Sequence, residues 1–132
     1  MTAQAEIHSL IERIGETFSR LDIAAWADCF HTPLSFVMAG RVVCFGSREE
    51  TIVALNPMFE ELRQRGFDRT ELNTCNIKQL SETTGLVAAV WTRYAGTQML
   101  EQLGATYFVM QQDSQWKAVF VTSHSADVLA IP

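Results

Sequence analysis

The hydrophobic and polar positions divide the chain into a helical first part and a strand-rich second part. Three runs near the C-terminus are rich in Val, Thr, Tyr, Phe and Trp and are bounded by turn-forming residues: 86–94, 105–111 and 116–123. This composition is typical of strands that pack on both sides of a pleated sheet. The pattern predicts a meander of long antiparallel strands.

Neither face of this sheet is plainly polar. Alternation places Trp91, Arg93, Tyr107, Val109, Val119 and Val121 on one face, and Val90, Tyr94, Phe108, Met110, Phe120 and Thr122 on the other. The helices of the first part can cover only one face, so we expect a second copy of the chain to cover the other. A register slip of one residue would exchange the faces. In that case Arg93 would lie in the dimer interface, and the residues facing the helices would be Phe108, Met110, Phe120 and Thr122.

The first part predicts two helices in succession. Apolar residues recur at steps of three and four over 2–21, as in an amphipathic helix with one buried stripe. Asp22 is suited to cap a second, shorter helix that buries Trp26 and Phe30 and is stopped by Pro33.

A hairpin and a third helix follow. Residues 34–38 and 42–45 alternate like strands around a turn at 39–40. Ser47 with Glu50 forms a capping-box pattern, so a helix begins there and ends at Gly66. Pro57 lacks a backbone donor and predicts a kink or a break. A long strand over 70–80 then leads into the meander.

This order of elements predicts one α+β domain over 1–132, with helices packed on a largely antiparallel sheet. A strongly twisted sheet wrapped over a long helix leaves a conical space between the two layers. We expect the binding pocket there.

Composition excludes several classes of function. The chain has 132 residues, 48% of them hydrophobic and 19% charged, with a net charge of −5. Its basic residues are scattered, so we expect neither nucleic acid nor a membrane as partner. Three cysteines match no zinc or redox spacing, and no signal peptide is recognisable. These features predict a soluble cytoplasmic protein with reduced cysteines, no metal and no cofactor.

The order of elements, together with the segments DIAAWADCFHTP (22–33), GATYFVM (104–110) and WKAVFVTSHS (116–125), resembles the nuclear transport factor 2-like superfamily. Within it the chain is most similar to SnoaL-like, polyketide-cyclase-like bacterial proteins. The resemblance implies a cystatin-like cone with a curved, mixed, largely antiparallel sheet, and a homodimer through the outer sheet face. It does not imply one activity, because the superfamily includes isomerases, cyclases, hydrolases and proteins that only bind or associate.

Three residues are candidates for chemistry in the cone. Arg93 could clamp an anion or carbonyl, or could pair with Glu71 or Glu101. Tyr107 could donate a hydrogen bond to a ligand oxygen, or could simply pack its ring in the core. His31, at the junction of helix and strand, could move a proton, or could cap the helix.

We expect an apolar ligand-binding lining, with the following members: Trp26, Phe30, Phe36, Met58, Phe59, Trp91, Val109 and Val121. The central parts of the last three strands lack the Asp and Glu on which isomerases and cyclases of the superfamily depend. The hypotheses are therefore binding of a small apolar molecule with a carbonyl or carboxylate, an isomerase, cyclase or hydrolase that uses Arg93, Tyr107 and His31, and a non-catalytic dimerisation domain.

Overall fold

A computed structural model describes residues 1–132. The first helix, α1, spans Ala3–Ser19 and buries the predicted apolar stripe, with Ile7 and Ile11 fully inaccessible to solvent. Thr2 caps the helix by accepting a hydrogen bond from the Ala5 amide at 3.1 Å. The periodicity of apolar residues thus predicts this helix and its buried face correctly.

The second helix is shorter than predicted. Helix α2 spans Ile23–Ala27 and is capped by Asp22, which accepts from the Ala25 amide at 3.1 Å. Strand β1 follows and spans Phe30–Met38. Phe30 therefore lies in the strand, and Pro33 does not terminate the helix. A helix of five residues shows too little periodicity for its end to be located from sequence.

The predicted hairpin is present. Strand β1 pairs in antiparallel fashion with β2, Arg41–Phe45. Its turn places Ala39 at φ 53° and Gly40 at φ 74°, which is the left-handed backbone that a tight hairpin requires.

The third helix, α3, is a single element, so the predicted break at Pro57 does not occur. It spans Arg48–Gln64 as one element with Pro57 inside it, and Ser47 caps it through the Glu50 amide at 3.2 Å. Leu55, Phe59 and Leu62 are buried along its inner side. We attribute the continuity to this burial, which offsets the loss of one backbone hydrogen bond at proline.

The remaining elements are four strands of one six-stranded sheet, in the order β2-β1-β6-β5-β4-β3. Their bounds are Arg69–Gln79 for β3, Thr84–Ala95 for β4, Gln98–Gln112 for β5 and Gln115–His124 for β6. Only β1 and β6 run parallel, whereas all the other neighbours are antiparallel. The predicted α+β class with a mixed, largely antiparallel sheet is confirmed.

Strand β5 is longer than predicted, because it begins at Gln98 rather than at residue 105. Gly96 adopts φ 62° and allows β4 to turn directly into β5, which pairs Arg93 with Glu101. Residues 98–104 contain no β-branched or aromatic residue, so their composition does not indicate a strand. The earlier start of β5 places the acidic residue Glu101 beside Arg93 in the sheet.

The inner face of the sheet packs on the helices. Trp91, Tyr107, Val109 and Val121 are all buried on this face, as alternation predicted. Val119 departs from the pattern, because an irregularity in the β5–β6 pairing between residues 108 and 109 leaves it without a partner. The predicted assignment of faces is otherwise correct and the one-residue slip does not occur, but Trp91 and Arg93 pair with Leu103 and Glu101 and not with residues near Tyr107 and Ala105.

The opposite, outer face carries half-buried Phe108, Met110 and Phe120. Near β3 the C-terminal residues also reach this face, where the Asn76 side-chain amide donates to the Ile131 carbonyl at 3.0 Å. The sequence did not predict that contact. None of the three helices combines the length and apolar character needed to cross a membrane.

Candidate functional site

A cavity of about 310 Å³ lies between the inner sheet face and the helices. Its volume is at the lower end of the range for sites that bind small molecules. Twelve of the seventeen lining residues are hydrophobic. The lining is formed by Ile14, Gly15, Phe18, Trp26, Phe30, Phe36, Met38, Met58, Thr70, Trp91, Arg93, Glu101, Leu103, Ala105, Tyr107, Val121 and Ser123.

One wall of the cavity is aromatic and is centred on Trp26. The ring centroid of Trp26 lies 4.6 Å from that of Phe30 and 6.2 Å from that of Phe36. The ring centroid of Phe18 of α1 lies 6.3 Å from that of Trp26. Tilted rings at these separations pack favourably and present a rigid apolar surface. This wall suits a ring system or a compact hydrocarbon.

The opposite wall contains a buried polar pair. The Trp91 indole Nε1–H donates to the Tyr107 hydroxyl oxygen at 3.0 Å, and both side chains are almost completely buried. The same hydroxyl forms no hydrogen bond as a donor within the protein. Its proton is therefore available to an acceptor inside the cavity.

Burial keeps this hydroxyl protonated. Removal of the phenol from water raises the pKa of Tyr107 above its ordinary value, while the hydrogen bond from Trp91 and the charge of Arg93 act in the opposite direction with smaller effect. Tyr107 is consequently a neutral hydrogen-bond donor at physiological pH.

Arg93 supplies the only positive charge of the lining. Its Nη1 donates to Glu101 Oε1 at 3.1 Å, and its guanidinium carbon lies 4.9 Å from the centroid of the Phe18 ring. The side chain is only 17% exposed, and its buried Nε has no hydrogen-bond partner. Nη2 also forms no hydrogen bond and, unlike Nε, is not sealed off, so it is the nitrogen that can donate to an acceptor in the cavity.

Most of the predicted site residues line the cavity. Arg93 and Tyr107 lie on the sheet side, and six apolar residues of the predicted lining are present: Trp26, Phe30, Phe36, Met58, Trp91 and Val121. The structure brings them together because strand alternation directs them to the inner face and the short α2 helix turns Trp26 towards it.

Phe59 and Val109 belong to the packed core and not to the lining, contrary to the prediction. Phe59 is 1% exposed and packs its ring against Phe18 and Trp26, behind the aromatic wall. Val109 is fully buried, further along β5 from Tyr107. Both are on the correct face, but periodicity does not show how deep in a layer a residue lies.

His31 does not line the cavity, contrary to the prediction that it faces the cone. It is the second residue of β1 and alternates away from Phe30, which does line the cavity. Its Nε2 lies 3.2 Å from the Gln115 carbonyl oxygen, at the start of β6. The position suits a structural contact between two strands.

Sequence reasoning missed the other nine members of the lining: Ile14, Gly15, Phe18, Met38, Thr70, Glu101, Leu103, Ala105 and Ser123. Glu101 lay in a segment predicted as a connection, although it was recognised as one possible partner of Arg93. Ser123 was placed at the end of its strand, and Gly15 has no side chain to attract notice. Alternation from Val121 would have been enough to place Ser123 on the inner face.

A second, polar groove runs between α1 and β3. It has a volume of about 620 Å³, and only three of its twelve lining residues are hydrophobic. Its exposed members include Glu12, which pairs with His8 at 3.2 Å. We take the apolar cavity as the candidate site because only there do an aromatic wall and unpartnered donors meet.

The cysteines and acidic residues form no reactive or metal-binding centre. Burial raises the pKa of the Cys75 thiol to about 11 and also raises that of Cys29, so both are protonated thiols at neutral pH. No group of three or more His, Cys, Asp or Glu side chains is arranged to hold a metal ion.

Helices on one side of a curved mixed sheet, with an apolar cavity between the layers, define a protein of the cystatin-like cone class. The chain belongs to the family described as NTF2-like protein (DUF6841), whose model matches residues 5–126. Membership of the NTF2-like superfamily is thereby confirmed, and the narrower SnoaL-like assignment stays a prediction.

Solved structures show the same fold. An NTF-2 like protein of unknown function from Shewanella oneidensis is 20% identical, with a TM-score of 0.75 over 91% of this chain and 97% of that one. An NTF2-like protein with a cystatin-like fold from Novosphingobium aromaticivorans is 16% identical, with a TM-score of 0.77 over 96% and 84%.

A putative calcium/calmodulin dependent protein kinase II association domain from Xanthomonas campestris is 14% identical, with a TM-score of 0.70 over 93% of this chain and 88% of that one. Identities in this range carry the fold and not the activity. The comparison with curated proteins finds no match.

Proposed function

We propose that the protein binds a small, largely apolar molecule through a carbonyl or carboxylate oxygen in the cavity. The observation that carries this proposal is the pair of donors without an acceptor: the Tyr107 hydroxyl proton and Nη2 of Arg93. A hydrogen bond from each of them to a ligand oxygen would contribute about 0.5–3 kcal/mol. The aromatic wall around Trp26 would hold the apolar part.

Binding without turnover is the version that we favour. The enzymatic alternative required His31 as proton carrier, and His31 lies outside the cavity. Glu101 is the only carboxylate of the lining, and it is engaged in an ion pair with Arg93. Isomerase, cyclase and hydrolase activities stay predictions, as does the cytoplasmic location.

Binding is tested with a ketone that fits the cavity, 2-acetylnaphthalene, by calorimetric titration. Tyr107→Phe keeps the ring and removes the donor, so we expect the affinity to fall about three- to tenfold, the usual worth of one hydrogen bond. Arg93→Ala should also weaken binding. The matched control is Tyr94→Phe, which makes the same chemical change at the next residue after Arg93 and outside the lining.

Equal losses of ketone affinity in Tyr107→Phe and Tyr94→Phe would show that the Tyr107 hydroxyl does not contribute to binding. An absence of any titratable binding, together with no shift in melting temperature at saturating ketone, would contradict the proposal. A ligand at a hundred times its dissociation constant should stabilise the fold by about 2.7 kcal/mol, so a real binder is readily detected.

We also propose that the protein is a homodimer through the outer face of the sheet. Phe108 and Phe120 are direct neighbours across β5 and β6 on this face, and Leu86 pairs with Phe108 from β4. No helix covers them, and a contiguous apolar patch on a sheet is a common interface. A purely dimerising role without ligand is the alternative if the cavity binds nothing.

Sedimentation velocity at micromolar concentration should show the mass of a dimer. Phe120→Glu should yield a monomer, because two copies of a carboxylate would be buried against each other. Val42→Glu places the same charge at a residue that is 70% exposed on the edge strand β2, and should leave the dimer intact. A monomeric parent protein would contradict the interface.

A further inference from the structure

One carboxylate at the edge of the cavity is shared by two arginines. Glu101 Oε1 lies 3.1 Å from Nη1 of Arg93 and 3.5 Å from Nη1 of Arg65. Arg93 and Glu101 line the cavity, whereas Arg65 lies outside its lining. The three side chains together carry a net charge of about one positive unit, which solvent partly screens because Glu101 and Arg65 are each 40% exposed.

Arg93 keeps one terminal nitrogen without a partner. Glu101 accepts from Nη1, Nε is sealed from solvent, and Nη2 forms no hydrogen bond. Nη2 can therefore donate to one oxygen of a ligand carboxylate, in a charge-assisted hydrogen bond. Stacking on Phe18 at 4.9 Å holds the guanidinium plane in place, so this donor is preorganised.

Arg65 adds the second cation from a different element. It is the C-cap residue of α3, the helix that contributes Met58 to the cavity lining. Its side chain is 40% exposed, so its field is partly screened by solvent. Glu101 can remain paired with Arg65 when a ligand binds to Arg93. The carboxylate of the ligand then takes the place of Glu101 as the anionic partner of Arg93.

We infer that the ligand is an apolar monocarboxylic acid, bound by a two-arginine site in which Arg93 contacts the carboxylate and Arg65 draws Glu101 away from it. This inference rests on the proposed function and specifies its ligand class. Arg93 is the binding residue, and Arg65 and Glu101 are positioning residues that act through it.

The test compares an acid with a neutral compound of the same shape. Calorimetric titrations with 2-naphthoic acid and with 2-acetylnaphthalene are run on the full chain at pH 7 and low salt. The acid should bind about tenfold more tightly than the ketone, the usual advantage of a charge-assisted contact over a neutral one. Added salt should lower the affinity for the acid and leave the affinity for the ketone unchanged.

Three variants separate the roles of the charges. Glu101→Gln keeps an acceptor for Arg93 and removes the competing negative charge, so the ratio of acid affinity to ketone affinity should rise. Arg65→Gln should lower that ratio about two- to fivefold. Arg63→Gln is the matched control, because Arg63 pairs with Glu60 on the same helix and lies outside this cluster.

The outcomes distinguish the two proposals. A ketone that binds as tightly as the acid overturns the inference and keeps the proposed function. A lower ratio of acid to ketone affinity in Glu101→Gln also overturns the inference, because Glu101 would then hold Arg93 in place and would not compete. Failure of both compounds to bind at millimolar concentration overturns both. A ratio of acid to ketone affinity that rises in Glu101→Gln and falls in Arg65→Gln alone supports the two-arginine site.

Discussion

Replacing Phe59 by alanine is expected to lower the free energy of unfolding by about 3–5 kcal/mol, the usual cost of removing a buried phenylalanine. Phe59 is 1% exposed, and its ring meets those of Phe18 and Trp26 at centroid separations of 5.1 and 5.4 Å. The void would lie behind the aromatic wall of the cavity. Chemical denaturation of the variant and the parent measures the difference.

The neighbouring residue supplies the control. Met58 is half-buried and lines the cavity, so Met58→Ala removes fewer packing contacts and should destabilise the fold less. The order should be reversed for ligand affinity: Met58→Ala should change it more than Phe59→Ala, because only Met58 lines the cavity. If Phe59→Ala cost less stability than Met58→Ala, the assignment of Phe59 to the core would be wrong.

Gly15→Ala should destabilise the protein by about 1–3 kcal/mol, although alanine is the better helix former. A Cβ at this position would lie 2.7 Å from Trp91 Cζ3 and 2.9 Å from Cη2, well inside normal contact distance. Trp91 cannot swing aside without breaking its hydrogen bond to Tyr107. Steric overlap therefore outweighs a gain in helix propensity of about 1 kcal/mol.

A double-mutant cycle isolates this effect. Trp91→Phe removes the two atoms that the new methyl group would meet, so Gly15→Ala should cost much less in that background. Ser9→Ala, on the exposed side of α1, controls for helix propensity alone and should change stability by a few tenths of a kcal/mol at most. A Gly15→Ala variant more stable than the parent would disprove the close contact.

Much of the fold could be predicted from local pattern. The apolar stripe of α1, the caps at Asp22 and Ser47, and the turn at Ala39–Gly40 are all present as expected. These features are decided by residues within a few positions of each other, and local sequence carries that information.

The misplaced elements have a common cause. The start of β5 at Gln98 and the continuity of α3 through Pro57 depend on partners far along the chain. Pairing with β4 makes a strand of residues with weak strand propensity, and packing of Phe59 and Leu62 maintains a helix across proline. Tertiary contacts outweigh local preference at both places.

The candidate site divides in the same way. Local alternation predicts which face of each strand carries Trp91, Arg93, Tyr107 and Val121, because side chains alternate with a period of two. Depth and ion pairing follow from the folded chain, which puts Val109 in the core and Glu101 beside Arg93. A period of two specifies a direction, whereas depth and ion pairing depend on the curvature of the sheet and on residues brought together by the folded chain.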